Sequence, residues 1–185
     1  RGELKMLAII EGNESSGKST VIREINKTLN ATVLKIKIKK EWFLNNRDIE
    51  LACEVGNDLI SQLTKSNELI ICDRGFISSL VYAKVYKRKY NFNYIYKEII
   101  PKLKDSCLIV YLYTDSININ LKRKKRDKFI EPKKYNEIQE GYNEVMNMLE
   151  HKYYFTILRL NTSKLNLSEC RDSILKALAN FDNNR

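Results

Sequence analysis

The sequence predicts a single α/β domain built on a parallel sheet, and three observations predict it. Apolar runs that read as strands alternate with segments whose apolar residues recur every three or four positions, the pattern of right-handed crossovers over a sheet covered on both faces. Between the first such run and the first helix lies Gly12-Asn13-Glu14-Ser15-Ser16-Gly17-Lys18-Ser19, which fits the phosphate-binding pattern G-x-x-x-x-G-K-[ST]. A later apolar run, Glu68 to Asp73, ends on an acid, and the carboxyl ends of strands face the ligand crevice in open α/β sheets.

The elements follow in order. A first strand covers about Leu4 to Ile10, and the first helix runs from Ser19 to Leu29 with Val21, Ile22, Ile25 and Leu29 at helical spacing. Ala31 to Ile38 alternates Val33, Lys35 and Lys37 against Leu34, Ile36 and Ile38, which predicts a second strand with one solvated side. Trp42 and Phe43 fall in a loop or helix start, and Ile49, Ala52, Cys53, Gly56, Leu59, Ile60 and Leu63 mark a long helix ending near Lys65. The third strand, Glu68 to Asp73, turns through Arg74-Gly75 into a helix reaching Tyr82. Phe92, Ile95, Ile99 and Leu103 mark another helix, with Pro101 near its end. Cys107 to Tyr113 is a fourth strand, and Asp115 is the expected N-cap of a helix holding Leu121. After a basic stretch, Tyr135, Ile138, Tyr142, Val145 and Leu149 form the stripe of one more helix, and Tyr153 to Leu160 reads as the fifth strand. Asn166-Leu167-Ser168-Glu169 resembles a capping box opening a last helix through Ala179.

Composition bounds the classes. The 185 residues fit one domain, with no repeat, linker or low-complexity stretch to divide them. No apolar run approaches the ~20 residues of a membrane span. Cys53, Cys72, Cys107 and Cys170 are far apart and form no C-x-x-C pair, which predicts reduced core thiols and a cytoplasmic protein. Zinc is not expected beside a single histidine, His151. The net charge of +10 suits an anionic partner, and it concentrates in Lys84 to Lys89 and Lys122 to Lys134. Small nucleotides suffice to account for a basic crevice, so nucleic acid is not the expected partner.

The phosphate loop implies a nucleoside triphosphate. Backbone N–H groups from Gly12 to Thr20 surround the phosphates at the positive end of the first helix, Lys18 reaches the outer oxygens, and Ser19 offers a hydroxyl to Mg²⁺. Asp73 is the expected partner of Ser19 at the metal, and Arg74 can fork onto a phosphate or carboxylate. The base-reading N-K-x-D of GTPases is absent, since Asn26-Lys27-Thr28-Leu29 lacks the aspartate and lies within a helix.

These residues together resemble the thymidylate kinases and their deoxynucleoside kinase relatives, nearly end to end. Glu11-Gly12 opens the phosphate loop as in both branches, and Asp73-Arg74, Ser78 and Tyr82 reproduce the spacing of the thymidylate kinase segment D-R-x-x-x-S-x-x-x-Y/F. Pro101 and the strand ending at Asp115 resemble the segment before that family's lid, and Arg123, Arg126, Asp127 and Glu131 loosely resemble the arginine-rich lid itself. The resemblance implies the P-loop nucleoside triphosphate hydrolase fold with five parallel strands and a short basic lid at about 122–134. It implies ATP as donor, Mg²⁺ as cofactor and a homodimer. It places Glu14, Ser78 and Tyr82 with Arg74 at the acceptor, Asp73 beside the metal or the acceptor oxygen, and Arg123 and Arg126 over the transferring phosphoryl group.

The departures lie on the acceptor side. The family's acceptor-contacting turn after its second strand is replaced by Lys37-Ile38-Lys39-Lys40-Glu41, and the positions that stack on and read thymine hold Ile49 and Cys53. Three functions follow as expectations. The first is a thymidylate kinase-type enzyme making a diphosphate from a deoxynucleoside monophosphate. The second is a deoxynucleoside kinase, in which Glu11 of Glu11-Gly12-Asn13 is the base on the sugar 5′-hydroxyl. The third is a nucleotide-dependent nucleic-acid-binding protein.

Overall fold

The structure, a computed structural model, describes residues 6–29, 31–35, 48–66, 68–88, 92–116, 118–119 and 134–183, apart from the side chains of 48 and 49. Five strands, β1 (Leu7–Glu11), β2 (Thr32–Lys35), β3 (Ile70–Asp73), β4 (Cys107–Tyr113) and β5 (Thr156–Asn161), form one sheet in the order β2-β3-β1-β4-β5. Every pairing is parallel. Neighbouring parallel strands require crossovers, and the helices that supply them among the described residues are α1 (Lys18–Leu29), α2 (Asp48–Lys65), α3 (Phe76–Val85), α4 (Ile100–Leu103) and α5 (Tyr135–Tyr153), while α6 (Leu167–Asn183) follows the last strand. A π-helical turn, Ile95–Ile99, leads into α4.

The central strand explains why the sequence reads as continuous apolar runs. Successive side chains of β1 enter opposite cores: Leu7 and Ile9 pack with α2, α3 and α5, while Met6, Ala8 and Ile10 pack with α1 and α6. At the edge, β2 keeps only Leu34 half-buried and leaves Val33 exposed, which is the solvated side its alternation predicts.

The expected fold class and element order are those observed. The fourth strand, Cys107–Tyr113, has the bounds read from the sequence. The capping box also forms, with Asn166 N–H donating to Glu169 Oε2 at 2.8 Å and Glu169 N–H to Asn166 Oδ1 at 3.0 Å. The fifth strand starts later than expected. Residues from Tyr153 have strand propensity, but α5 runs through Tyr153 and ends where Tyr154 turns left-handed at φ 61°, so β5 opens at Thr156. The N-cap expected of Asp115 concerns a helix through Leu121, which lies outside the described residues; Asp115 itself accepts a hydrogen bond from Asn161 Nδ2 at 2.6 Å. Trp42, Phe43, Lys37 to Glu41, Arg123, Arg126, Asp127 and Glu131 also lie outside them.

Removing the cap checks how α6 is started. Asn166→Ala should cost about 1 kcal/mol, within the 0.5–2 kcal/mol range of N-cap losses, read as a lower urea midpoint at unchanged slope.

Candidate active site

The phosphate loop takes its shape from the strand beside it. Gly12 sits at φ +146°, and a Cβ there would lie 2.1 Å from the Leu112 carbonyl oxygen of β4, so only glycine lets the chain leave β1 on this path. Ser15 at φ 56° and Gly17 at φ 96° complete the curl that brings the loop onto the start of α1. Thr162, in the turn after β5, donates its hydroxyl to the Ser16 carbonyl at 2.9 Å and fixes the far side of the loop.

Lys18 is the buried cation of this loop, and its Nζ donates to the Gly12 carbonyl at 2.8 Å, the Asn13 carbonyl at 2.7 Å and Ser16 Oγ at 3.4 Å. Burial first, then the nearby Arg74 charge, holds its pKa well below the ordinary lysine value, against Glu11, Asp73 and Glu14. The Ser19 hydroxyl donates to Asp73 Oδ2 at 3.4 Å, because the register sets Asp73 level with Ile10 at the loop entrance. A hydroxyl beside a carboxylate at the phosphate end of a cleft is an oxygen donor set that fits Mg²⁺, which binds one or two such ligands together with substrate phosphates.

Asn13, expected among the donor-binding residues, turns its side chain the other way. Its Nδ2 donates to the Tyr135 carbonyl of α5 at 3.3 Å, and its Oδ1 accepts from Glu14 N–H at 2.9 Å. The loop is thereby tied to α5 as well as to β4.

Behind the loop lies a buried polar knot. Glu11 is 0% exposed. Its Oε1 accepts the N–H groups of Gly75 at 2.7 Å and Ser78 at 3.3 Å, and its Oε2 accepts the hydroxyls of Ser78 at 2.7 Å and Tyr142 at 3.2 Å. Burial raises the Glu11 pKa, and Arg74, Ser78, Gly75 and Lys18 oppose that rise. Arg74, at φ 74°, donates from Nη1 to Ser78 Oγ and Tyr142 Oη, both at 3.1 Å, and more distantly to the Gly12 carbonyl at 3.4 Å. Burial opposes its charge, but Tyr142, Tyr82, Glu11 and Glu14 more than restore it, so its pKa is raised and it stays cationic. Burial and Glu11 also push the Cys72 thiol up to about 12.

A cleft of about 600 Å³ opens in front of these groups. Glu14, Ser15, Gly17, Lys18, Ser19 and Thr20 form one wall, Asp73 and Arg74 the floor, and Lys35 the end of β2. Thr162, Leu165, Asn166, Leu167 and Cys170 close the opposite side. The structure thus brings Glu14, Lys18, Ser19, Asp73 and Arg74 together. Ser78 is 1% exposed and stands behind Arg74, while half-buried Tyr82 stacks with Tyr86 at 6.4 Å between ring centroids. Arg123 and Arg126, expected over the transferring group, lie outside the described residues. Sequence reasoning missed Lys35, read only as the polar partner in an alternating strand, and the turn from Thr162 to Leu167, which carries no charge pattern before Lys164. It also missed Tyr142, read as one member of an apolar stripe.

The fold is that of the P-loop nucleoside and nucleotide kinases. A deoxyadenosine kinase of M. mycoides, solved with the products dCMP and a flexible dCDP, superposes with a TM-score of 0.73 at 18% identity over 95% of this chain and 100% of its own. The YorR protein of Bacillus subtilis, solved in complex with phosphorylated GDP, gives a TM-score of 0.68 at 27% identity over 97% of this chain and 99% of its own. The thymidylate kinase of Candida albicans gives 0.65 at 14% identity over 97% and 93%. The resemblance read from the sequence is therefore found again in the fold. No family model and no curated protein matches the chain.

Gly12→Ala tests the loop geometry. The backbone strain alone should cost about 1–3 kcal/mol, and the clash with Leu112 should displace the loop. Calorimetric titration with ATP should show at least a tenfold weaker complex than the wild type.

Proposed function

We propose that the protein is an ATP-dependent phosphotransferase that moves the γ-phosphoryl group of ATP onto a deoxynucleoside monophosphate, in the manner of a thymidylate kinase. The observation that carries this reading is the convergence of Lys18, Lys35 and Arg74 with the Ser19–Asp73 pair in one cleft. A donor triphosphate engages the loop and Lys18. Arg74 and Lys35, displaced toward the ends of β3 and β2, are cations suited to a second phosphorylated ligand.

The roles follow from charge and position. Lys18 exchanges its loop carbonyls for phosphate oxygens and stabilises the charge that spreads over the transferring group. Ser19 and Asp73 would hold Mg²⁺, which when bound neutralises charge on the donor phosphates. Arg74 grips the acceptor phosphate and lines it up with the donor, which accounts for most of what phosphoryl transfer requires of a protein. Arg123 and Arg126, outside the described residues, are assigned to the same group by the family resemblance alone. Glu14 lines the cleft, which supports its assignment to the acceptor sugar.

A second reading, phosphorylation of a deoxynucleoside at its 5′-hydroxyl, is favoured by the likeness to deoxyadenosine kinase at a TM-score of 0.73. In that reading Glu11 is less suited to be the base than the sequence suggests, because it is buried and four donors already occupy its oxygens. Among the described residues, Asp73 and Glu14 are the carboxylates that line the cleft.

Incubation with Mg-ATP and each deoxynucleoside and deoxynucleoside monophosphate separates the readings by the phosphate count of the product. The first expects diphosphates; monophosphates made from nucleosides would favour the second, and ATP turnover with neither acceptor would overturn both. Lys18→Ala should lower kcat by about 10²–10³-fold, the size of losing one charge-stabilising group. Unchanged turnover would remove Lys18 from the chemistry. Arg74→Ala should raise the KM of a phosphorylated acceptor far more than that of a nucleoside.

A further inference from the structure

Buried hydroxyls carry one proton each, and counting those protons gives the knot behind Arg74 a direction. Ser78 Oγ lies 2.7 Å and Tyr142 Oη 3.2 Å from the same acceptor, Glu11 Oε2, which as a carboxylate oxygen can only accept. The Ser78 proton therefore points at Glu11, and the Tyr142 proton goes either to the same carboxylate oxygen or to Ser78 Oγ at 3.0 Å, from which the Ser78 proton continues to Glu11. Either way a lone pair of each oxygen faces Arg74, whose Nη1 carries two N–H groups and lies 3.1 Å from each. The chain of donors runs from guanidinium through two hydroxyls to carboxylate: an ion pair bridged by Ser78 and Tyr142. Burial, then the Glu11 charge, keeps the Tyr142 pKa well above the ordinary tyrosine value, so its hydroxyl remains a donor.

The bridge holds one nitrogen and leaves the others. Among the described residues, Nη2 and Nε of Arg74 make no hydrogen bond, and Arg74 lines the cleft. A guanidinium pinned along one edge presents the opposite edge as a rigid two-pronged donor, the geometry that matches a phosphate. Tyr142 is well made for the task. Its ring stacks on Tyr111 at 5.6 Å and 20°, and this fixes the hydroxyl without help from solvent.

We propose that Tyr142 is a positioning residue which, with Ser78, bridges Glu11 to Arg74 and so aims the arginine at an anionic acceptor group. The inference rests on the phosphotransferase reading for its choice of ligand, but its geometry is readable without turnover.

The test is Tyr142→Phe, which keeps the stacked ring and removes only the hydroxyl. The KM of the phosphorylated acceptor should rise about tenfold, the loss of one hydrogen bond to a charged group, while the KM of ATP stays within twofold. In the same variant, ¹⁵N NMR of the Arg74 side chain should show faster rotation about Cζ–Nε, and this signal exists whether or not any acceptor is phosphorylated. Equal changes in both KM values, or unchanged guanidinium rotation, would overturn the proposal. A wild type that phosphorylates nothing but whose Arg74 loosens in the variant would overturn the functional reading and leave the bridge standing. Ser78→Ala, which cuts the other half of the bridge, should move both readouts the same way and serves if the phenylalanine variant does not fold.

Discussion

A carboxylate that loses its water must find donors elsewhere, and the Glu11 carboxylate, at the end of the central strand, finds them on two separate elements. Moving an ionised carboxylate into a protein interior costs several kcal/mol, a cost met only when its lone pairs are filled. Here the Gly75 and Ser78 amides and the Ser78 and Tyr142 hydroxyls fill them, and the residual penalty shows as a raised pKa. Two of these donors are main-chain N–H groups at the start of α3, which have no partner within the helix. A negative charge at that end also meets the positive pole of the helix. Glu11 thus caps α3 from across the sheet, in place of a capping side chain on the helix itself.

This one constraint fixes the relation between the two walls of the cleft. Glu11 is followed directly by the phosphate loop, so the wall formed by the loop begins where the carboxylate is anchored. The same carboxylate holds the turn Arg74-Gly75, so the part of the cleft that carries Arg74 is anchored there too. Arg74 takes a left-handed backbone at φ 74°, a conformation that costs a non-glycine residue roughly 1–3 kcal/mol and persists only where its surroundings enforce it. Gly75 lets the turn approach closely: a Cβ there would stand 2.9 Å from Ile9 Cγ2 on β1. Strain at Arg74, close approach at Gly75 and burial at Glu11 are three aspects of one arrangement.

The fold was legible because its signals are local. A phosphate loop is contiguous, the strands next to it are buried on both faces, and each helix shows its stripe within a few turns. The contact between the loop residue Ser19 and Asp73 was legible for the same reason. What sequence reasoning could not see is set by long-range register. Tyr142 shows the ring in its stripe but not the hydroxyl's partners, which sit 64, 68 and 131 residues away in the chain. Lys35 looked like a solvated residue until the pairing of β2 with β3 put it level with Asp73. Glu11 looked like a free acid at the mouth of a loop, whereas topology surrounds it with donors. The start of β5 was misread because the helix tail before it overrides the strand propensity of Tyr153 to Phe155.

The central claim, that Glu11 organises the site by holding the start of α3, is tested most directly by amide hydrogen exchange. In the wild type, the Gly75 and Ser78 amides should be protected alongside those of the sheet. In Glu11→Ala these two should exchange at least tenfold faster while Ile9 and Ile71 keep their protection. Equal protection at Gly75 and Ser78 in both proteins, or a uniform loss across the sheet, would contradict the account.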